Sequence, residues 1–287
     1  MNPEYINQIY SHLMNAFVPR IDGLRYLLRY NGQNELQNHL NPLVREGKKV
    51  FSQNDEDGIT FEILRRIGLT EGVFAEFGVG NGLENNTLAL AAAGWCGFWV
   101  GNEDIIVEYN PHNLKSLNFD YVKSWINLEN IVSLYNTGLG SINQKKCNLI
   151  SLDLDGNDYY FVEQLLKNGV NPEVFIVEYN AKFIPPIKFV IDYDPLHEWG
   201  SDDYFGASLS SYAALFEKYG YFLACCNITG IDAFFIRNEF RPLFSDIPQD
   251  IEKLYASPKY FLLSLDYSGH GTSKRTVDKI FAQLNKP

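Results

Sequence analysis

The chain alternates between short, largely apolar runs and longer stretches whose apolar residues recur every three or four positions. The runs 73–77, 97–100, 149–154, 174–177, 221–225 and 233–236 each have the length and composition of a buried strand. Helical spacing covers 59–67, 87–93, 161–166 and 209–219. Gly138-Leu139-Gly140 reads as loop ahead of the third strand, and Asn227-Ile228-Thr229-Gly230 as a hairpin turn joining the last two. Apolar strands separated by helices predict a mostly parallel sheet covered on both faces. The last two strands have no helix between them and predict an antiparallel edge. No internal repeat is visible.

Ahead of this pattern, residues from about 4 to 46 carry helical spacing at Ile6, Ile9, Leu13 and Phe17, then Leu24, Leu27 and Leu28. Asn31-Gly32 and Asn41-Pro42 interrupt it. The chain therefore divides into an N-terminal helical extension, 1–50, and an α/β domain, 51–287. The extension is a cap over the site, a homo-oligomer contact or a plain packing helix.

Composition narrows the class. Hydrophobic content of 46% and aromatic content of 15% supply a full core, and no low-complexity tract or apolar run of about 20 residues appears. Disorder and membrane insertion are not expected, and the first residues lack the basic and apolar regions of a secretory signal. A net charge of −11 disfavours nucleic acid and anionic membranes as partners. Cys96, Cys147, Cys225 and Cys226 show no zinc spacing and read as buried free thiols in a cytoplasmic protein.

Polar residues gather where strands end. Glu76 precedes Gly78-x-Gly80-x-Gly82, a turn that lets backbone approach a ligand closely but lacks the GxGxxG dinucleotide spacing. Asp153, Asp155 and Asp158 fall within six residues at the next strand end, and Glu178 with Asn180 close the one after. In such sheets ligands collect at the carboxyl ends of strands, near the switch in strand order. Asp153 and Asp155 share strand parity and would present two carboxylates on one face. A cation such as Mg2+ or Mn2+ between Asp153, Asp155, Glu178 and Asn180 would suit these hard oxygens. Helix capping, or hydrogen bonds to a substrate, is the other use for them. Asp155, Asp158 and His197 are the candidates for a catalytic base. The long aromatic segment 183–205 reads as a lid, a substrate wall or core.

These stretches in this order resemble S-adenosylmethionine-dependent methyltransferases, in particular the FkbM-like group. Glu76 to Gly82 looks like their first motif. Residues 52–58, 153–158, 178–180 and 204–209 are similar to further stretches of that group. The resemblance implies a Rossmann-like methyltransferase fold with S-adenosylmethionine over the first two strands. It implies cofactor contacts from Glu76, Gly78, Gly80 and Gly82, and from Gln53 and Asp57 toward the methionine portion, although the latter pair equally suit helix capping. It also implies an acceptor hydroxyl on a sugar, sugar nucleotide or glycan, as in polysaccharide biosynthesis, or on another small molecule. An acid normally ends the second strand to hold the ribose. Here Asn102 and Glu103 are the nearest candidates. An NAD(P)-dependent oxidoreductase and an inactive binding protein of the same fold are the competing readings.

Overall fold

The computed structural model describes residues 8, 27, 30–106, 118–260, 262 and 270–284. Of the residues carrying the N-terminal helical pattern, only Leu27 is among them, helical and exposed. Ile6, Ile9, Leu13, Phe17, Leu24 and Leu28 lie outside the described residues. Residues 30–37 are helical.

Seven strands form one sheet. They are β1 (Val73–Phe77), β2 (Cys96–Gly101), β3 (Phe119–Lys123), β4 (Leu149–Leu152), β5 (Val174–Glu178), β6 (Tyr221–Cys226) and β7 (Asp232–Arg237). Their spatial order is β3-β2-β1-β4-β5-β7-β6, parallel except for β7, which pairs antiparallel with both neighbours. This is the expected Rossmann-like methyltransferase fold with its antiparallel edge. The chain winds outward from β1 through β2 to β3, then returns to the other side of β1 as β4. The carboxyl ends of β1 and β4 therefore flank the switch in strand order.

Two helical layers cover the sheet. On one face lie α1 (Pro42–Arg45), α2 (Glu56–Ile67) and α3 (Leu88–Ala92). On the other lie α4 (Ile131–Ser141), α5 (Asp158–Lys167) and α6 (Leu209–Lys218). Strand parity decides which layer each side chain joins. Val73, Ala75 and Phe77 pack with Ile131, Phe161 and Leu215, whereas Phe74 packs with Ile59, Leu90 and Trp99. A buried side chain of this size contributes roughly 1.5–3 kcal/mol. Glu76 shares the parity of Phe74 and so faces the layer that holds α3. Beyond the sheet come a 3-10 segment (Asn238–Phe244), α7 (Ile251–Leu254) and α8 (Lys274–Leu284).

Four expectations need correction. Asn31-Gly32 lies inside the helical stretch 30–37 rather than interrupting a helix. Gly138 and Gly140 lie within α4 rather than in a loop. A Cβ at Gly138 would sit 2.2 Å from the Phe98 ring, so this glycine permits close helix–sheet packing instead of breaking the helix. Strand β3 is additional to the predicted set, because Asp120 and Lys123 interrupt an edge strand that is only half-buried. Strand β4 ends at Leu152, so Asp153 and Asp155 occupy a turn, and strand parity does not pair them. All four cysteines are free, three of them buried. No helix among the described residues is long and apolar enough to cross a membrane.

Candidate active site

The turn after β1 is shaped by its glycines. Gly78 has φ 89°, and its N–H donates to the Val100 carbonyl at 2.9 Å. A Cβ there would lie 1.6 Å from the Asp153 carbonyl oxygen, so only glycine lets this turn rest against the next one. Gly80 has φ 49°, and a Cβ there would meet nothing within 4 Å. Its backbone borders open space. Gly82 closes the turn through its N–H to the Val79 carbonyl at 2.9 Å.

Glu76 holds the far side of this loop. Its carboxylate accepts from the backbone N–H groups of Asn86 (2.9 Å) and Thr87 (3.0 Å) and from the Thr87 hydroxyl. That hydroxyl in turn accepts from the Trp99 indole N–H at 2.8 Å. Burial pushes the Glu76 carboxyl up to about 7, with the Thr87 and Asn86 hydrogen bonds opposing it. Glu76 thus ties the glycine loop to the start of α3.

The turn after β4 carries the acids. Both Asp158 oxygens accept backbone N–H groups, from Leu154 at 2.6 Å and Gly156 at 2.8 Å, so this carboxylate clamps its own loop. Burial raises it to about 6. Asp155 is exposed and adopts φ 55°, a left-handed conformation rare outside glycine. His197 reaches across from the long loop. Its Nε2 lies 3.2 Å from the Asp155 carbonyl oxygen, and its ring rests on Gly156, where a Cβ would come within 2.2 Å of it. A carbonyl only accepts, so Nε2 carries the proton in this contact and Nδ1 is the ring's remaining base position. Asn157 and Asp194 reinforce the junction. The Asn157 amide donates to the Asp194 carbonyl at 2.7 Å, and the Asp194 N–H donates back at 3.3 Å.

Asp153, Asp155 and Glu178 each offer a carboxylate oxygen, and those atoms all lie within 4.8 Å of one another. Burial and then mutual repulsion push the Asp153 and Glu178 carboxyls well above the ordinary range. One Glu178 oxygen, Oε2, is buried with no hydrogen-bond partner. Three hard oxygen donors at this spacing match the chemistry of a divalent cation. Asn180 is engaged elsewhere. Its amide donates to the Asp203 and Phe205 carbonyls at 2.9 and 3.0 Å and accepts from the Lys182 N–H.

Two adjoining cavities meet over these turns. The smaller, about 300 Å³, is lined by Gly101, Asn102, Glu103, Trp125, Phe161 and His197 among others. Strand β2 runs to Gly101, which puts Asn102 and Glu103 immediately past its end, in that wall. The larger, about 670 Å³, includes Gln53, Glu76, Asn81, Asn85, Asn86 and Asp232. Gly78, Gly80, Glu103, Asp153 and Asp155 border both. Asp57 lies apart from them. One of its oxygens accepts the N–H groups of Val50, Phe51 and Ser52 at 2.6–2.9 Å, and it lines a separate surface cavity.

Sequence reasoning missed Asp232, Asn85 and Asn86. Asp232 heads β7 and pairs in register with Glu178, a relation set by the antiparallel turn rather than by local sequence. Its carboxylate accepts from the Asn86 amide at 3.3 Å. The available signal was an acid two residues after the Asn227–Gly230 turn.

No protein-family model and no curated protein matches this chain. Solved structures similar to it include an RNA methyltransferase candidate of Pyrococcus horikoshii, 9% identical with a TM-score of 0.38 over 73% of this chain and 96% of that one. An O-methyltransferase family 2 protein of Planctomyces limnophilus is 10% identical with a TM-score of 0.33, over 74% of this chain and 61% of its own. Monomeric WbdD is 12% identical with a TM-score of 0.39, over 71% of this chain and 48% of its own. Likenesses this distant say nothing of this chain's own reaction.

Proposed function

We propose that this chain is an S-adenosylmethionine-dependent O-methyltransferase acting on a hydroxyl of a sugar or glycan. One observation carries the reading: the glycine turn after β1 and the acidic turn after β4 border the same two cavities. The residues fit a nucleoside cofactor. Gly80 leaves open space beside its backbone, and Asn102 and Glu103 offer hydroxyl partners for a ribose in the smaller cavity. Trp125 and Phe161 give that cavity flat apolar walls suited to a base. When bound, the cofactor supplies an electrophilic methyl group.

The chain's own task is to orient the acceptor oxygen and remove its proton. In the absence of an ion, Asp155 is the best-placed base, because it is exposed to both cavities. Asp158 spends both oxygens on backbone N–H groups, and His197 has Nε2 committed to the Asp155 carbonyl. A divalent ion on Asp153, Asp155 and Glu178 would relieve their repulsion and lower the pKa of a nearby hydroxyl. The segment 194–199, held to the acidic turn by Asn157 and His197, would wall the acceptor from solvent. The N-terminal extension fits a cap or an oligomer contact, which size-exclusion chromatography with light scattering of the chain with and without residues 1–29 would separate, a cut that spares the buried Leu43 and Val44.

Calorimetry with S-adenosylmethionine, S-adenosylhomocysteine and NAD tests the reading. Binding of the two S-adenosyl ligands but not NAD is expected, and a lack of S-adenosyl binding overturns it. Titration with Mn2+ followed by electron paramagnetic resonance tests the ion separately from any turnover.

A further inference from the structure

The larger cavity has an unbalanced lining. Glu76, Glu84, Glu103, Asp153, Asp155 and Asp232 border it, and no lysine, arginine or histidine does so among the described residues. Acidic walls alone would not define a site, but two buried oxygens point to a ligand. Asp232 is 4% exposed, and its Oδ1 has no hydrogen-bond partner, while Oδ2 accepts from Asn86. Asn85 is 3% exposed, and its Oδ1 likewise has no partner. Both residues line this one cavity. The Asn85 oxygen only accepts hydrogen bonds, and the Asp232 oxygen accepts and carries negative charge when ionised.

From these observations, and on the methyl-transfer reading, we propose that the cavity selects an acceptor bearing a protonated amine, an amino sugar or amino alcohol, with its ammonium at Asp232 and Asn85. An ammonium offers three N–H donors and a positive charge, which matches the donor deficit and the field together. Asp232 is outside the Asp153, Asp155 and Glu178 triad, so an ion there leaves its free oxygen unoccupied, while repelling an ammonium placed beside it. Without an ion on the acidic triad, a phosphorylated sugar would bring negative charge to acidic walls where Lys49, at the rim, is already engaged with Glu84 and the Gln53 carbonyl. Sugar nucleotides are therefore poor acceptors, and unphosphorylated amino sugars are good ones.

A matched trio tests this on the full chain at neutral pH: glucosamine, glucose and glucose 6-phosphate, measured by ligand-observed NMR. Saturating S-adenosylhomocysteine is present in one arm and absent in the other. The wild type should bind glucosamine at least about tenfold more tightly than glucose, as expected for a charge-assisted contact, with the phosphate weakest. Asp232→Asn should bring the glucosamine-to-glucose ratio close to one. Added KCl should weaken glucosamine binding and leave glucose unchanged in the wild type, a measurement that does not depend on the variant folding. Equal binding of glucosamine and glucose, or a ratio unchanged in Asp232→Asn, overturns the proposal. So does loss of glucosamine binding when S-adenosylhomocysteine saturates, because the amine site would then belong to the cofactor's own ammonium. If S-adenosylhomocysteine does not bind at all, the methyl-transfer reading fails, and the sugar ratio still decides the amine site.

Discussion

Glu76 and Asp232 are both buried carboxylates bordering the same cavity, and they are bonded in opposite ways. Glu76 accepts two backbone N–H groups and a hydroxyl, which is itself held by Trp99. Asp232 has one oxygen on an asparagine amide and the other on nothing. The same contrast separates Asp158, with both oxygens on backbone, from Glu178, with a buried oxygen unpaired. Burying a polar group without a partner is costly, so a fold retains one only where something else is gained. The satisfied carboxylates shape loops. Asp232 and Glu178, with Asp153 and Asp155 beside them, are left for ligands, whereas Asp55, Asp57 and Asp203 keep an unpaired buried oxygen away from both cavities.

Removing a ligand-facing acid should hurt function far more than stability. Asp153→Asn and Glu178→Gln should each lower methyl-transfer kcat/KM by roughly 10³-fold, within the range for loss of acid–base or ion-positioning groups. Mn2+ binding should weaken in parallel. Thermal melts should move little or rise, because each change removes a charge repelled by its neighbours. Wild-type turnover in either variant would return these acids to the structural class.

Removing a loop-shaping acid should do the reverse. Glu76→Ala leaves the N–H groups of Asn86 and Thr87 and the Thr87 hydroxyl without their acceptor, and should cost about 3 kcal/mol in urea unfolding. Residual folded protein should still bind Mn2+. A variant as stable as the wild type would show that the glycine loop does not hang on Glu76.

The two groups also differed in how far the sequence disclosed them. Glu76, Gly78 and Gly80 sit on one short segment, so their cooperation is local and was legible. Asp153, Asp155 and Glu178 were legible as strand-end acids, though for the wrong reason. A left-handed residue at 155, rather than strand pairing, brings the carboxylates together. Asp57 and Asn180 looked equally polar in sequence, but their partners are backbone groups that only the folded loops supply. Asp232 was invisible because its neighbours Glu178 and Asn86 come from distant segments. Strand β3 escaped because an edge strand can keep polar residues.

Both groups of acids hold their protons above the ordinary carboxylate range. The folded-state carboxyls of Glu76 and Asp158 are raised to about 7 and about 6, and those of Asp153, Glu178 and Asp232 are raised as well. The folded state then binds more protons than the unfolded one between the ordinary carboxylate range and about pH 7, so stability must fall as pH rises through that window. Metal-free protein should therefore melt several degrees lower at about pH 7.5 than at about pH 5.5. Mg2+ should recover part of the loss in the wild type but not in Asp153→Asn. A pH-independent melting temperature would mean that these groups ionise freely in the fold.

The smallest expected effect separates positioning from catalysis at His197. Its ring packs on Gly156, and its Nε2–H donates to the carbonyl of Asp155, the one ligand-facing acid held in a strained conformation. His197→Ala frees that turn without touching a carboxylate, so kcat/KM and Mn2+ affinity should each fall by about tenfold or less, the range for losing one supporting contact around a site. Gly156→Ala should reproduce the loss, because its Cβ would displace the ring. His197→Gln, which keeps an N–H donor on a side chain of similar reach, should restore part of both quantities. A general base would behave differently: glutamine could not replace it, Mn2+ affinity would be untouched, and the pH–rate profile would lose a limb. Partial rescue with an unchanged profile places His197 with the loop-shaping residues, one contact away from the acids it serves.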